Sequence, residues 1–497
     1  MINTTYYYAH LLKPAMGVGR MAEVFVYAME IMEMKVKAEH EAPMGALMKA
    51  VKPELPKSME DRLAKLKTSI VKAYLLVLAY TARKPVPSKL VPDLKYVLDI
   101  APRLLNEMLS ITLTYHWLTP TLAIFEFSQC LVQAMSPSSM NPVGKNAKAA
   151  EASLRLLQLP HFDADVTKRL ARHKIRSIEE LYAAGRARRQ ERLADLGFKP
   201  VEIEDVEGAL MAMPSCEARV RCETIGEEDI AEGDSMTVSV YVRLNRGEPG
   251  SVARRPQALR EKEAQFLRRK QAVTAVAPRY PVAKKEQWWV LVADYRSGVC
   301  FTGAPASLIE AEALALEHPA AGAEAAAEPP ADGEPAEADG RGRPARRADA
   351  QVEDARPRDG ECWDGWQRIN INLVAPSRGA YEWCAMLMSD TWVGCNATAR
   401  FRFSVAKGTG GNASRNFVRT AAAAADKGAT LELDSDLESG GEDNDEDDGH
   451  EHESDDSDGY SEYSGSEEET DDEDEGADGP ARAGGAEDDD DLVTEMD

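Results

Sequence analysis

This 497-residue chain lacks the short signatures that hold nucleotides, metals or nucleophiles in place. No GxxxxGK[ST] run occurs, and the glycines around 408–411 lead into no Lys-Ser/Thr pair. HExxH and GxSxG are missing, and the eight histidines are scattered, with His450 and His452 standing in an acidic tail. The seven cysteines form no CxxC, and Cys216 with Cys222 has neither a second pair nor nearby histidines to complete a tetrahedral zinc site. They are read as reduced packing thiols. Motif-borne catalysis is thereby excluded, and the chain is expected to be a non-enzymatic binding or scaffolding module without cofactor or metal.

Long apolar runs are scarce too. The nearest approach to a membrane span, 109–135, contains His116, Pro120, Glu126, Gln129 and Gln133. A carboxylate near the middle of such a span costs roughly 2–4 kcal/mol, so a helix packed inside protein is expected. The N-terminus opens on Tyr6, Tyr7, Tyr8, Ala9 and His10, not on a basic region followed by an apolar stretch, and so reads as no secretory signal. The sequons at Asn3, Asn396 and Asn412 are accordingly attributed to chance.

Basic charge is missing from one place. Residues 431–497 hold 32 Asp or Glu and a single basic residue, Arg482, whereas residues 1–430 carry 58 basic and 53 acidic residues, a net +5. The formal charge of −26 thus belongs to the tail. Such a stretch cannot bury enough apolar surface to offset its ordering entropy, so 408–497 is expected to be disordered. Ser435, Ser439, Ser464, Ser466, Thr470 and Thr494 each have an acidic residue three places on, the pattern an acidophilic kinase reads through basic pockets.

What is present is a change of hydrophobic period. Met236, Val238, Val240, Val242 and Leu244 alternate with polar neighbours, as in a half-buried strand, while upstream the apolar residues recur at helical spacing. Residues 218–224 and 236–244, joined by an acidic loop ending in Gly233-Asp234, predict a hairpin that opens a β-sandwich. Before it, residues 1–148 predict a helical bundle: one helix over 20–38, one over 58–82, one capped by Asp93 through Ile100 that resumes after Pro102, and one begun by Thr119-Pro120. Residues 149–214 predict a helix-hairpin-helix and connecting helices, with Ser177 capping its second helix and Glu180 completing the box, then a helix over 202–213. His161 and Asp163 stand where phosphate-binding hairpins use glycine, so nucleic acid is not expected there. Arg186, Arg188, Arg189 and Arg192 read as a solvated helix face.

The sandwich is expected over 215–407, of immunoglobulin or fibronectin type. Residues 250–270 read as an irregular basic excursion, and the Ala/Pro/Glu-rich stretch 304–360 as a disordered insertion. Trp288, Trp289, Trp363, Trp366, Trp383 and Trp392 are expected in or beside its core. The fold class is α + β multidomain.

The runs APRLLNEM at 101–108, WLTP at 117–120, FSQCLVQA at 127–134, LPHF at 159–162, CETIGEE at 222–228 with EGD at 232–234, WWVL at 288–291 and SDTWVGC at 389–395 resemble, in this order, the Brl, or Sec sixty-three, domain. The likeness is to plant and algal J-proteins of the endoplasmic reticulum translocon and spans roughly residues 10 to 407. It implies a cytosolic body at the endoplasmic reticulum membrane that contacts the protein-conducting channel in post-translational import. It also implies an acidic tail, phosphorylated in family members, that engages a basic partner of the Sec sixty-two type. Family members carry transmembrane helices and a lumenal J domain whose His-Pro-Asp motif stimulates the chaperone BiP. Here His318-Pro319 is followed by Ala320. The chain is therefore read as an N-terminally truncated fragment, with a soluble paralogue as the alternative, and BiP as a partner solely through a J domain these residues do not contain. The domain also occurs in spliceosomal helicases, which makes an accessory module in RNA remodelling the runner-up. A free-standing scaffold for basic clients is the third reading.

Overall fold

A computed structural model describes residues 3–140, 147–224, 230–319, 353–354, 363 and 365–407. It begins with helices α1 (Thr4–Leu11), α2 (Met21–Phe25), α3 (Met29–Met32), α4 (Glu41–Val51), α5 (Lys57–Leu63), α6 (Thr68–Thr81), α7 (Val91–Thr114) and α8 (Leu118–Gln133). Helices α6 and α8 are apolar nearly all round, and both run through the middle of the bundle with most side chains buried.

Helix boundaries differ from the sequence expectations, each for a local reason. The helix expected over 20–38 breaks at Val26–Ala28. There the Thr4 hydroxyl, from another segment, accepts the Met29 amide at 3.0 Å and caps α3. The helix expected over 58–82 is two, α5 and α6. Asp93 is not a cap; it lies in the first turn of α7 and accepts Lys72 Nζ at 2.9 Å. Thr119 likewise falls inside α8, whose first residue is Leu118. Helix α7 does not stop at Pro102. A proline there leaves the Leu98 carbonyl without its helical donor, and the Tyr280 hydroxyl supplies one at 2.5 Å.

Next come α9 (Ala147–Leu156), α10 (Ala164–Arg172), α11 (Ile178–Ala183), α12 (Arg186–Asp195) and α13 (Pro200–Ala212), followed by strands β1 (Pro214–Thr224), β2 (Ile230–Ala231), β3 (Ser235–Arg246), β4 (Trp288–Asp294), β5 (Val299–Ala306), β6 (Glu353–Asp354), β7 (Gln367–Val374), β8 (Gly379–Ser389) and β9 (Ala397–Ala406). One sheet has the order β1-β3-β7 and the other β2-β9-β8-β4-β5, with β6 added to β9. Without the short β2 and β6, this is the three-against-four arrangement of a fibronectin-type sandwich. The opening hairpin has the expected partners, with Val220 opposite Val240 and Ala218 opposite Val242. A further mark of the class is a tyrosine corner: Tyr381, near the start of β8, donates its hydroxyl to the Ser377 carbonyl at 2.6 Å.

Two readings of the sandwich region are corrected. The excursion 250–270 contains α14 (Gln257–Arg268), and the insertion expected from 304 begins with the end of β5 and then α15 (Ile309–Glu317). These helices pack on each other through Ala264, Leu267, Ala313 and Leu316, and Arg268 reaches both Glu310 and Glu317. Small alanine side chains allow this close approach, so a composition poor in large apolar residues still builds a core. The rest of the expected insertion, apart from 353–354, and the expected disordered tail lie outside the described residues.

The sheet holding β4 and β8 is covered on both faces. Val290, Val292, Trp383 and Leu387 face the other sheet, whereas Leu291, Ala293, Cys384 and Met386 join the core of the helical bundle. Burial on two sides explains why these strands read as nearly unbroken apolar runs while β3 alternates.

Candidate functional site

The expected phosphorylation residues Ser435, Ser439, Ser464, Ser466, Thr470 and Thr494 all lie outside the described residues. Among the described residues there is no cluster of three or more His, Cys, Asp or Glu able to hold a metal ion, and no helix long and apolar enough to cross a membrane. The richest polar geometry is the seam between bundle and sandwich.

One face of α8 builds that seam. Ser128 Oγ donates to the Asp390 carbonyl at 2.7 Å, Gln129 Nε2 to the Ser389 carbonyl at 2.7 Å, and Gln133 Nε2 to the Thr391 carbonyl at 3.1 Å. Spaced one and four residues apart on a helix, the three side chains read the backbone of a single loop. From the other side, Gln158 takes the Val393 amide at 2.8 Å and returns a bond to its carbonyl at 2.9 Å. The loop's own Asp390 pairs with Lys284 and accepts the Gln287 amide at 3.0 Å. At the opposite corner of the bundle the turn between α7 and α8 joins the sheet: the Cys300 amide donates to the His116 carbonyl at 2.9 Å and the Leu118 amide to the Gly298 carbonyl at 3.0 Å. The runs at 117–120, 127–134, 288–291 and 389–395 therefore meet at one interface, a convergence that their separation in sequence conceals.

Beneath the loop lies a buried charge network. Arg246 makes a two-pronged pair with Glu286 at 2.8 and 3.0 Å and a further bond to Glu312 at 2.9 Å, while Trp392 Nε1 donates to Glu286 at 2.8 Å. Burial pushes the Glu312 carboxyl up against the pull of Arg246. Trp288, Trp383 and Trp392 are buried in the sandwich core, and Trp289 meets Phe125 edge-on in the bundle. Trp363 and Trp366 stack with Arg219 outside the three-stranded sheet.

Arg83 joins three helix ends. With φ of 56° just past α6, it donates to the carbonyls of Ala134 (2.7 Å), Gln133 (3.2 Å), Leu157 (2.7 Å) and Phe162 (2.9 Å). A cation is favoured at these carbonyl-rich ends. Burial and the nearby Arg279 nevertheless lower its pKa to about 10. Pro85 and Pro87 follow Arg83 in sequence and mark a helix break, which says nothing of this role.

In the helix-hairpin-helix, Asp163 Oδ1 accepts the amides of Asp165 (2.9 Å) and Val166 (2.7 Å), and Ser177 caps α11 through the Glu180 amide at 3.2 Å. Glu180 reaches back to the Arg176 amide, one residue before the expected box partner. These are the amides a phosphate would need. His161 meets Asp205 at 2.8 Å. The arginine run of α12 is not uniformly solvated: Arg186, Arg188 and Arg192 are exposed, but Arg189 is buried in a two-pronged pair with Glu207 at 2.7 and 2.8 Å. A run of four arginines in one helix gave no sign of which one turns inward.

A family model described as the Sec63 Brl domain matches residues 1–312. The DnaJ protein ERDJ2A of Arabidopsis thaliana is 31% identical over 423 residues, covering 82% of this chain and 56% of that protein. ERDJ2B of the same plant is 27% identical over 423 residues, 82% of this chain and 57% of its own length. The U5 small nuclear ribonucleoprotein 200 kDa helicase of Homo sapiens is 22% identical over 335 residues, 67% of this chain and 11% of the helicase. The chain thus spans a little over half the length of the two DnaJ relatives.

Proposed function

The chain belongs to the Sec63 Brl domain family, and on that premise we propose that it is a non-enzymatic part of the endoplasmic reticulum machinery for post-translational protein translocation. Its body, a bundle and sandwich fused through the α8 seam, is a rigid docking surface for the protein-conducting channel at the cytosolic face of the membrane. Its acidic tail recruits a basic partner of the Sec sixty-two type, and an acidophilic kinase strengthens that attraction at Ser435, Ser439, Ser464, Ser466, Thr470 and Thr494. BiP stimulation is assigned to none of these residues, because no His-Pro-Asp loop occurs among them.

The observation that carries this reading is the family match together with where the runs that resemble the family lie. The runs that resemble the family at 117–120, 127–134, 288–291 and 389–395 meet at the seam, which supports a fixed relation between two modules, the requirement of a platform. Pull-down of microsomal channel subunits on the full chain, with and without kinase treatment, tests it. Retention of channel subunits, with kinase-dependent retention of the basic partner, is expected; retention of neither overturns the proposal. The second reading, an accessory module in RNA-helicase assemblies, has the 22% relatives in its favour. The hairpin amides already held by Asp163 and Ser177 count against it. RNA shifted by the chain in a gel would favour that reading.

A further inference from the structure

Between α6, α7 and the segment 278–281 lies a cleft of about 590 Å³. Its charged lining consists of Arg83, Lys84, Lys95 and Arg279, with no carboxylate among the lining residues. Lys84, Lys95 and Arg279 are exposed. Four of the five N–H donors of Arg83 are held by carbonyls, so it contributes mainly positive field and leaves most hydrogen bonding to the other three. The remaining wall is apolar, with Val86, Val91, Leu94 and Leu98 on one side and Pro278 and Pro281 on the other. Tyr80 also lines the cleft, and its buried hydroxyl has no hydrogen-bond partner. A second cleft of about 690 Å³ shares Arg83, Pro278 and Arg279 and continues past His161, Glu204 and Asp205.

We propose that the cleft between α6, α7 and residues 278–281 binds an acidic peptide segment of a partner protein, with one apolar side chain of the peptide seated among Val86, Leu94 and Leu98. Three requirements on the ligand follow. Unneutralised cations at a concave, low-dielectric wall select an anion and hasten its encounter. The apolar lining favours a ligand with a greasy anchor over a bare anion, because burying that anchor adds a hydrophobic contribution. The Tyr80 hydroxyl is buried beside the cleft without a partner, and a peptide carbonyl or carboxylate seated against it supplies the missing acceptor. An extended peptide also has room to continue toward His161 in the adjoining cleft. This contact differs from recruitment by the tail, which draws on negative charge; here the protein supplies the positive side.

Fluorescence anisotropy on the full chain tests the proposal, using as probe a short labelled peptide of Asp and Glu flanking one Phe-Leu pair. Binding is expected to weaken at least about 10-fold in K95E/R279E and several-fold between ~50 and ~300 mM salt. A probe with Gly-Gly in place of Phe-Leu is expected to bind much more weakly. Y80F, which removes one oxygen and keeps the ring, is expected to weaken binding modestly while leaving the thermal midpoint in place. If K95E/R279E does not fold, judged by circular dichroism, the milder K84Q/K95Q takes its place. Equal binding by wild type and the charge variants overturns the proposal. So does displacement of the probe by inorganic phosphate or anionic vesicles as readily as by unlabelled peptide, which makes the cleft a general anion site.

Discussion

Arg83 makes four hydrogen bonds to backbone carbonyls, and those carbonyls belong to the ends of α8 and α9 and to the turn before α10. Charged hydrogen bonds of this kind contribute about 1.5–3 kcal/mol each before the cost of burying the charge, and removing the donor leaves several buried acceptors unpaired. R83A is therefore expected to lower stability by about 3–5 kcal/mol, read from the midpoint of urea unfolding, and R83K to recover a minor part because an ammonium cannot span the same acceptors. The thiols act through burial instead. Burial raises Cys222, Cys300 and Cys384 to about 12 and Cys395 to about 11. Their protonated form is favoured in the folded state, so the folded protein holds protons that the unfolded chain releases above its own thiol pKa near 8.5. Stability contributed by these groups is whole below that pH and is lost as pH rises toward 11–12. Unfolding midpoints measured under reducing conditions are expected to fall steeply above pH ~9. Cys130, Cys216, Cys222, Cys300, Cys384 and Cys395 are expected to resist a thiol reagent at pH ~8 until denaturant is added.

At the scale of elements, α12 and α13 are joined by the buried pair Arg189–Glu207, with side chains 4% and 9% exposed. Breaking such a pair from one side strands a charge, so E207A is expected to cost about 3–5 kcal/mol, whereas R189M/E207L costs far less. Thermal denaturation of the single and double variants decides it. A smaller loss in the single variant means the site is wet and the pair of little consequence. This pair also shows what was legible beforehand. The two-residue period of β3 is local, because one face of the strand meets one core, and its pairing could be read directly. The inward turn of Arg189, the passage of α7 through Pro102 and the packing of α14 on α15 depend on residues distant in sequence: Glu207, Tyr280 and the alanines of the opposite helix. Local pattern carries no information about such partners. The seam residues Ser128, Gln129 and Gln133 stand in a run that resembles a family, yet their task, holding a loop some 260 residues away, is visible solely in three dimensions.

For the molecule as a whole, a sheet buried on both faces joins the core of the bundle to that of the sandwich, so neither loses its partner without exposing apolar strand. A single cooperative transition is expected by calorimetry from the described body. Q129A/Q133A, which removes two side-chain ties of the seam, is expected to lower that transition or split it in two. Beyond the body the dominant quantity is charge, −31 over residues 431–497. Six phosphates at the acidophilic sites would add about −9 to −12 more, at −1.5 to −2 each. Attraction between exposed charges is screened over about 10 Å at 0.1 M ionic strength, so capture of a basic polypeptide by the full chain is expected to weaken several-fold from ~50 to ~300 mM salt. Kinase treatment is expected to raise the affinity at every salt concentration and to steepen the salt dependence, since more charges take part. Isothermal titration with a Lys/Arg-rich peptide, before and after phosphorylation, measures both quantities. An affinity indifferent to salt and to phosphate means that the partner is held by shape or apolar contact, and the recruiting role then passes from the tail to the surface of the body.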